Sequence, residues 1–167
     1  MKFFINLKER GKYFFIKENI YFLIFAIIVF FFDRFSKSKI VNNFNEAPYY
    51  VNDFINLDLI WNIGIGFGLL STNSTLIYNL VTFLIGVIII ILIYFLTISK
   101  KIDKFIYSII IGGALGNFYD RVIYKAVPDF IDLHYNNFHW FTFNVADIFI
   151  TIGIILLLVR DLLIKNV

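Results

Sequence analysis

The sequence predicts an all-α integral membrane protein: four transmembrane helices, with a strand lying on the membrane surface between helices 1 and 2. Three observations carry this. First, 60% of the 167 residues are hydrophobic and only 16% are charged, with mean hydropathy +0.81; a soluble domain sits near half apolar and a quarter charged. Second, four separate runs are apolar enough to cross a bilayer. Third, the basic residues flank those runs and crowd one side of them. The chain is expected to form one membrane domain over residues 1–167, with spans at about 20–39, 75–99, 105–124 and 141–160 and outer segments at 40–74 and 125–140.

The first run is strictly apolar only from Ile20 to Phe32. Thirteen residues make about 20 Å of helix, short of a hydrocarbon core of about 30 Å. The helix is therefore expected to continue through Asp33 and Arg34 toward Lys37, with the long cations snorkelling outward. A polar stretch up to Glu18 precedes this run and "DRFSKSK" follows it. The small-residue cleavage pattern of a removable signal peptide is missing. The second run, Thr75 to Ser99, is uncharged and long enough alone. The third, Phe105 to Tyr119, must draw in Asp120 and Arg121, and the fourth runs from Phe141 to Val159 with Asp147 as its one charged residue.

With the N-terminus in the cytoplasm, the inner side holds Lys2, Lys8, Arg10, Lys12, Lys17, Lys100, Lys101, Lys104, Arg160 and Lys165. The outer side holds only Arg34, Lys37, Lys39, Arg121 and Lys125. That bias places both termini in the cytoplasm. Asp33 then sits at the outer end of helix 1, Asn117, Asp120 and Arg121 at that of helix 3, and Asn144 and Asp147 at that of helix 4. The cytoplasmic ends show no comparable polar intrusion.

In the first outer segment, Ile55, Leu57, Leu59 and Trp61 alternate with Asn56, Asp58 and Ile60, a period of two that marks a strand. "NIGIGFG" follows, where Gly64, Gly66 and Gly68 permit a bend or a close backbone approach. The second outer segment holds "VPDF" and both histidines.

The formal net charge of +3 is spread over the flanks of the spans, with no basic patch, so no nucleic-acid partner is expected. There is no Cys, which excludes disulfides, thiolate chemistry and a lipid-bearing Cys. Ionisable groups at membrane depth are expensive and mark function. Interhelical hydrogen bonding is the competing explanation for any one of them, but it accounts poorly for a cluster at one leaflet. Two nearby carboxylates can share a proton, one acting as base toward water and the other as acid toward a carbonyl oxygen. Asp129 and Asp147 are the candidates for such a pair. Ser36 and Lys37 are adjacent on a helix and do not face each other. No G-x-S-x-G elbow and no H-E-x-x-H zinc motif is present. His134 and His139 are expected to be interfacial, with Trp61 and Trp140 in an aromatic belt. Gly112, Gly113 and Gly116 form a small-residue surface for close helix packing. A small transporter subunit and an inactive membrane scaffold are the alternative functions. The first would need polar residues through the full membrane depth, which helix 2 lacks.

"GGALGNFYDR" (Gly112 to Arg121), "VPDF" (Val127 to Phe130), "FNVADIFITIG" (Phe143 to Gly153), "DRFSK" (Asp33 to Lys37) and "NIGIGFG" (Asn62 to Gly68) resemble, in order, the motifs of lipoprotein signal peptidase, or signal peptidase II. That resemblance implies a bacterial intramembrane aspartic endopeptidase that removes signal peptides from diacylglyceryl-modified prolipoproteins by cutting before the lipidated Cys. It implies Asp129 and Asp147 as the catalytic residues, with Asp33, Asn62, Gly64, Asn117, Asp120, Arg121 and Asn144 supporting or lining the site. Asp120 is implied to pair locally with a cation. The strand corresponds to a small extracytoplasmic β-sheet cradle between helices 1 and 2. No metal or organic cofactor is implied. The implied partners are the prolipoprotein substrate, membrane lipids and a cyclic-peptide antibiotic inhibitor at the active site. The implied setting is the bacterial cytoplasmic (inner) membrane, with the site toward the outer leaflet. Arg34 stands where the family usually has Gln, and Ile65-Gly66 where Ala-rich pairs are common.

Overall fold

The structure, a computed structural model, describes residues 16–43, 48–64, 75–136 and 138–165. The order of elements among them is α1 (Lys17–Asn43), β1 (Tyr49–Asn52), β2 (Ile55–Asn62), α2 (Thr75–Ile98), α3 (Lys101–Ile123), β3 (Val127–Tyr135), β4 (Phe138–Phe143) and α4 (Val145–Lys165). The basic residues Lys2, Lys8, Arg10 and Lys12, and the Ile65-Gly66 and Gly68 positions, lie outside the described residues.

α1 outruns its apolar stretch at both ends: its 27 residues make about 40 Å of helix. By length and composition α1 and α2 are candidate membrane spans. α3 and α4 are apolar in their middles but carry charges toward both ends: Asp103, Lys104, Asp120 and Arg121 on one, Asp147, Arg160 and Asp161 on the other. Outward-facing Phe31, Phe83, Ile90 and Leu158 are all exposed, the surface expected of helices whose solvent is lipid.

α3 is the hub on which α1, α2 and α4 pack. Its glycines make this possible. A Cβ at Gly112 would lie 2.5 Å from Val29 Cβ and 2.6 Å from the Ala26 carbonyl oxygen of α1. One at Gly113 would lie 2.6 Å from the Ala146 carbonyl oxygen of α4. The small-residue surface predicted from sequence is thus used on two sides at once.

The fourth helix starts later than its apolar run. Phe141 to Phe143 belong to β4, and Asn144 ends that strand and caps α4. The polar stretch predicted only for one end of the bundle also has a counterpart at the other. There Arg160 bonds Asp103 and Asp161, Lys104 faces Glu18 at 3.7 Å, and Asn19 Nδ2 donates to the Thr97 carbonyl oxygen at 3.2 Å. Those groups tie the helix ends together where the chain leaves the apolar layer.

The strands form one antiparallel sheet in the order β1-β2-β3-β4. It is not confined between the first two helices: β2 pairs with β3 from Ile55↔Leu133 to Asn62↔Val127, joining the two outer segments. An isolated two-stranded hairpin is marginal, and this pairing gives β2 its second neighbour. The β1–β2 turn is fixed by Asn52 Oδ1, which accepts the N–H groups of Phe54 and Ile55 at 2.9 and 3.0 Å.

Gly112→Ala should destabilise the protein by about 1–3 kcal/mol, the usual range for overpacking a filled contact, because the methyl meets backbone. Gly86→Ala should cost less, since its methyl meets only the Phe118 ring edge at 3.2 Å. Thermal unfolding of both variants in the same detergent tests the order.

Candidate active site

Asp129 enters from β3 and Asp147 from the first turn of α4. Asp129 is 4% exposed, whereas Asp147 is only half-buried. Asn62 Nδ2, at the end of β2, donates to Asp129 Oδ2 at 2.8 Å. Asn144 Nδ2 donates to Asp129 Oδ1 at 2.5 Å. Asn117 Nδ2, from α3, donates to Asp147 Oδ1 at 2.8 Å.

Asn144 joins the two carboxylates. It is fully buried and is the N-cap of α4. Its Oδ1 accepts the Asp147 N–H at 3.2 Å, and its own N–H donates to Asp147 Oδ2 at 3.1 Å. This is a reciprocal capping box with an acid at the third helical position. The cap uses the amide oxygen, so the amide nitrogen is left to bind Asp129. One side chain thereby fixes the helix start, holds Asp147 and reaches Asp129.

Burial pushes the Asp129 carboxyl up to about 6, with the nearby Asp147 charge adding to the rise. The amides of Asn62 and Asn144 and the charge of Lys37 oppose it. Two carboxylates that feel each other in this way hold one proton between them more readily than none.

A second layer lies behind Asn117. Lys37, on α1, is fully buried and does not snorkel. Its Nζ lies 2.8 Å from Asp33 Oδ2 and 2.8 Å from Asp120 Oδ2, and donates to Asn117 Oδ1 at 2.7 Å. A buried ammonium needs such partners, and here it has three. The i, i+4 spacing of Asp33 and Lys37 was the available sequence signal; the remote partners on α3 had none. Asp33 Oδ1 also accepts the Ala146 N–H at 2.8 Å, satisfying an otherwise orphaned donor of α4's first turn. Gly116 packs against the Asp33 carboxylate, where a side chain would displace it. Arg34 bonds Asp120 and stacks over Tyr119 at 4.5 Å. Asp120 therefore pairs with cations of α1 rather than with its neighbour Arg121.

The structure thus brings Asp33, Asn62, Asn117, Asp120 and Asn144 into one network around Asp129 and Asp147. Gly64 closes the turn after β2, its N–H donating to Asn62 Oδ1 at 2.8 Å. Arg121 is buried beside the network but hydrogen-bonds neither carboxylate through the described contacts; its guanidinium lies 6.0 Å from the Tyr78 ring. His134 departs from the interfacial expectation: it is buried, while His139 is exposed.

The chain resembles known proteins along most of its length. The family described as Signal peptidase (SPase) II matches residues 25–163. A lipoprotein signal peptidase of Pelagibacter ubique (strain HTCC1062) is 49% identical over 147 residues, 86% of this chain and 89% of that protein. A lipoprotein signal peptidase of Francisella tularensis subsp. novicida (strain U112) is 35% identical over 157 residues, 90% of this chain and 97% of that protein. A solved bacterial membrane enzyme superposes with TM-score 0.71 at 32% identity, over 89% of each chain.

Lys37→Met should strand two buried carboxylates and destabilise the protein by about 3–5 kcal/mol, as breaking a buried ion pair from one side does. Arg34→Gln should cost clearly less, because Lys37 still neutralises Asp120. Thermal melts of the two variants decide; equal losses would refute the central place given to Lys37.

Proposed function

The chain belongs to the signal peptidase II family, and from that premise we propose that it is an aspartic endopeptidase cutting diacylglyceryl-modified prolipoproteins just before the lipidated Cys, with Asp129 and Asp147 as its catalytic pair. Removal of signal peptides from prolipoproteins is the activity its relatives carry by name and its family membership supports. The observation that supports the aspartic mechanism is Asn144, whose amide nitrogen bonds Asp129 while its backbone N–H and amide oxygen bond Asp147.

In this reading the pair holds one proton and one water. The ionised carboxylate accepts a proton as the water attacks the scissile carbonyl carbon. The protonated carboxyl donates to the carbonyl oxygen as negative charge develops there. The tetrahedral intermediate then collapses, and the amine of the lipidated Cys leaves with a proton from the pair. Since the two groups titrate as a unit, the roles belong to the pair. The second layer keeps Asn117 and α4 still during these steps, which is what orientation requires.

Substrate lipid has a fitting place. An apolar groove of about 550 Å³ runs between α1 and the site half of α3, lined by Phe30, Phe31, Leu115, Phe118 and Val122 among others. Acyl chains seated there would bring the modified Cys toward the pair, so that binding energy remote from the bond orients it. The site would face the outer leaflet of a bacterial cytoplasmic membrane, with four spans and both termini inside, as the ten-to-five split of basic residues favours. A cyclic-peptide antibiotic would compete with substrate for this site.

Purified protein should cleave a diacylglyceryl-modified prolipoprotein before the Cys, and Asp129→Asn and Asp147→Asn should each be folded and inactive. A cleaving Asp129→Asn variant would sink the pair, and an inert wild type would favour the scaffold alternative.

The raised carboxyl also carries a stability signature. Asp129 titrates at about 6 when folded against 3.8 ordinarily. The folded state therefore binds the proton more tightly, and ionisation works against folding: the loss is absent below 3.8, grows up to about 6 and is complete above that. Asp129→Asn has no such ionisation, so its melting temperature should move in its favour relative to wild type between pH 4 and 6.5 (roughly, from the same linkage). A pH-independent difference would contradict the shift.

A further inference from the structure

The sheet holds a second cluster of chemistry-bearing side chains, away from the catalytic pair. β3 runs without an extra residue; the register shifts put the additions on β2, between Leu57 and Ile60, and on β4, between His139 and Phe141. Asp129 and Asp132, three residues apart on β3, therefore point to opposite faces. Asp132 and His134 share the face away from Asp129, and His139 is the cross-strand neighbour of His134.

On that face His139 Nδ1 lies 2.7 Å from Asp132 Oδ2, and His134 Nδ1 lies 3.7 Å from it. The ligand atoms of all three residues fall within 4.8 Å of one another. The imidazoles stack at 5.3 Å and 23°. Asp132 and His134 are only 5% and 6% exposed. An Asp132–His139 hydrogen bond explains two of the three groups. It leaves His134 Nδ1 buried and without a hydrogen-bond partner among the described residues, since 3.7 Å is too long for one. Asn56, paired with Asp132 from β2 and hence on the same face, has a buried Oδ1 that is likewise unpartnered.

We propose that Asp132, His134 and His139 bind one divalent d-block cation, zinc by donor chemistry, at a site separate from Asp129 and Asp147. Two imidazole nitrogens and one carboxylate suit zinc and its neighbours rather than calcium or magnesium. Ligand bonds of about 2.0–2.2 Å in tetrahedral geometry put neighbouring ligand atoms roughly 3.3–3.5 Å apart. The His134–Asp132 separation is close to this already. The His139–Asp132 separation must open by less than about 1 Å on the same geometry, and the exposed His139 side chain is free to give it. The fourth position would be left to a water. The ion would clip β3 to β4, the two strands that lead to Asp129 and to Asn144.

Tag-free protein in detergent, stripped with a chelator, should bind one zinc ion per chain by calorimetry and unfold at a higher temperature with the ion. His134→Gln and His139→Gln should each lower the affinity at least about tenfold, the loss that removing even an outer-shell partner of a metal site brings. His139→Gln also takes away the hydrogen bond to buried Asp132, so the zinc-induced rise in melting temperature of each variant is read against its own metal-free melt. Cobalt in place of zinc should give a visible absorption spectrum that both variants lose. Asp129→Asn should bind zinc as wild type does. Equal zinc affinity in wild type and both histidine variants, or binding lost in Asp129→Asn, would overturn the site.

Discussion

An ammonium group held out of water sets the terms for the rest of this molecule. Lys37 Nζ has no route to solvent and is tolerable only with Asp33, Asp120 and Asn117 around it. Satisfying it locks α1 to α3. It also determines which way Asn117 faces: with the amide oxygen taken by the lysine, the amide nitrogen points to Asp147. Asp33, neutralised from one side, spends its other oxygen on the start of α4. The arrangement around the proposed catalytic pair is in this sense downstream of one buried charge.

The first turn of α4 is where packing and chemistry meet. Helix starts leave N–H groups without partners and carry partial positive charge. Here Asp33 takes the Ala146 N–H, while Asn144 and Asp147 satisfy each other. Close approach of α3, permitted by Gly113, brings Asn117 within reach of that turn. A carboxylate placed at a helix start is stabilised by the helix itself, which offsets part of the cost of holding Asp147 beside Asp129.

Much of this was legible in the chain before any coordinates. The four apolar runs show in composition alone, and β2 shows in the alternation from Ile55 to Trp61. Asp129, Asp147 and their asparagines stand out in the sequence as polar residues beside apolar runs, and they fall in recognisable motifs. β3 was not legible: buried from Val127 to Phe130, it lacks the period-two pattern of a strand with one wet face. The burial of Lys37 was hidden because its partner Asn117 is 80 residues away, and a cation after an apolar run otherwise snorkels. The Asp103–Arg160 pair was missed for the same reason, its members 57 residues apart. The His134–His139 contact depends on a bulge in β4 that no local pattern announces.

The span of these contacts bears on how the protein comes into being. The Asp33–Ala146 bond joins residues 113 apart, and Asn62 reaches Asp129 across 67. During synthesis, then, Lys37 can meet Asp33, Asp120 and Asn117 once α3 is made, and Asn62 can meet Asp129 once β3 is, but the joined centre waits for α4 to dock. Until it does, Asp129 lacks the Asn144 that links it to Asp147, and Asp147 itself has not been made. A chain that stops short of α4 carries an inert half-centre, so the hydrolytic capacity proposed here arises only once α4 has docked.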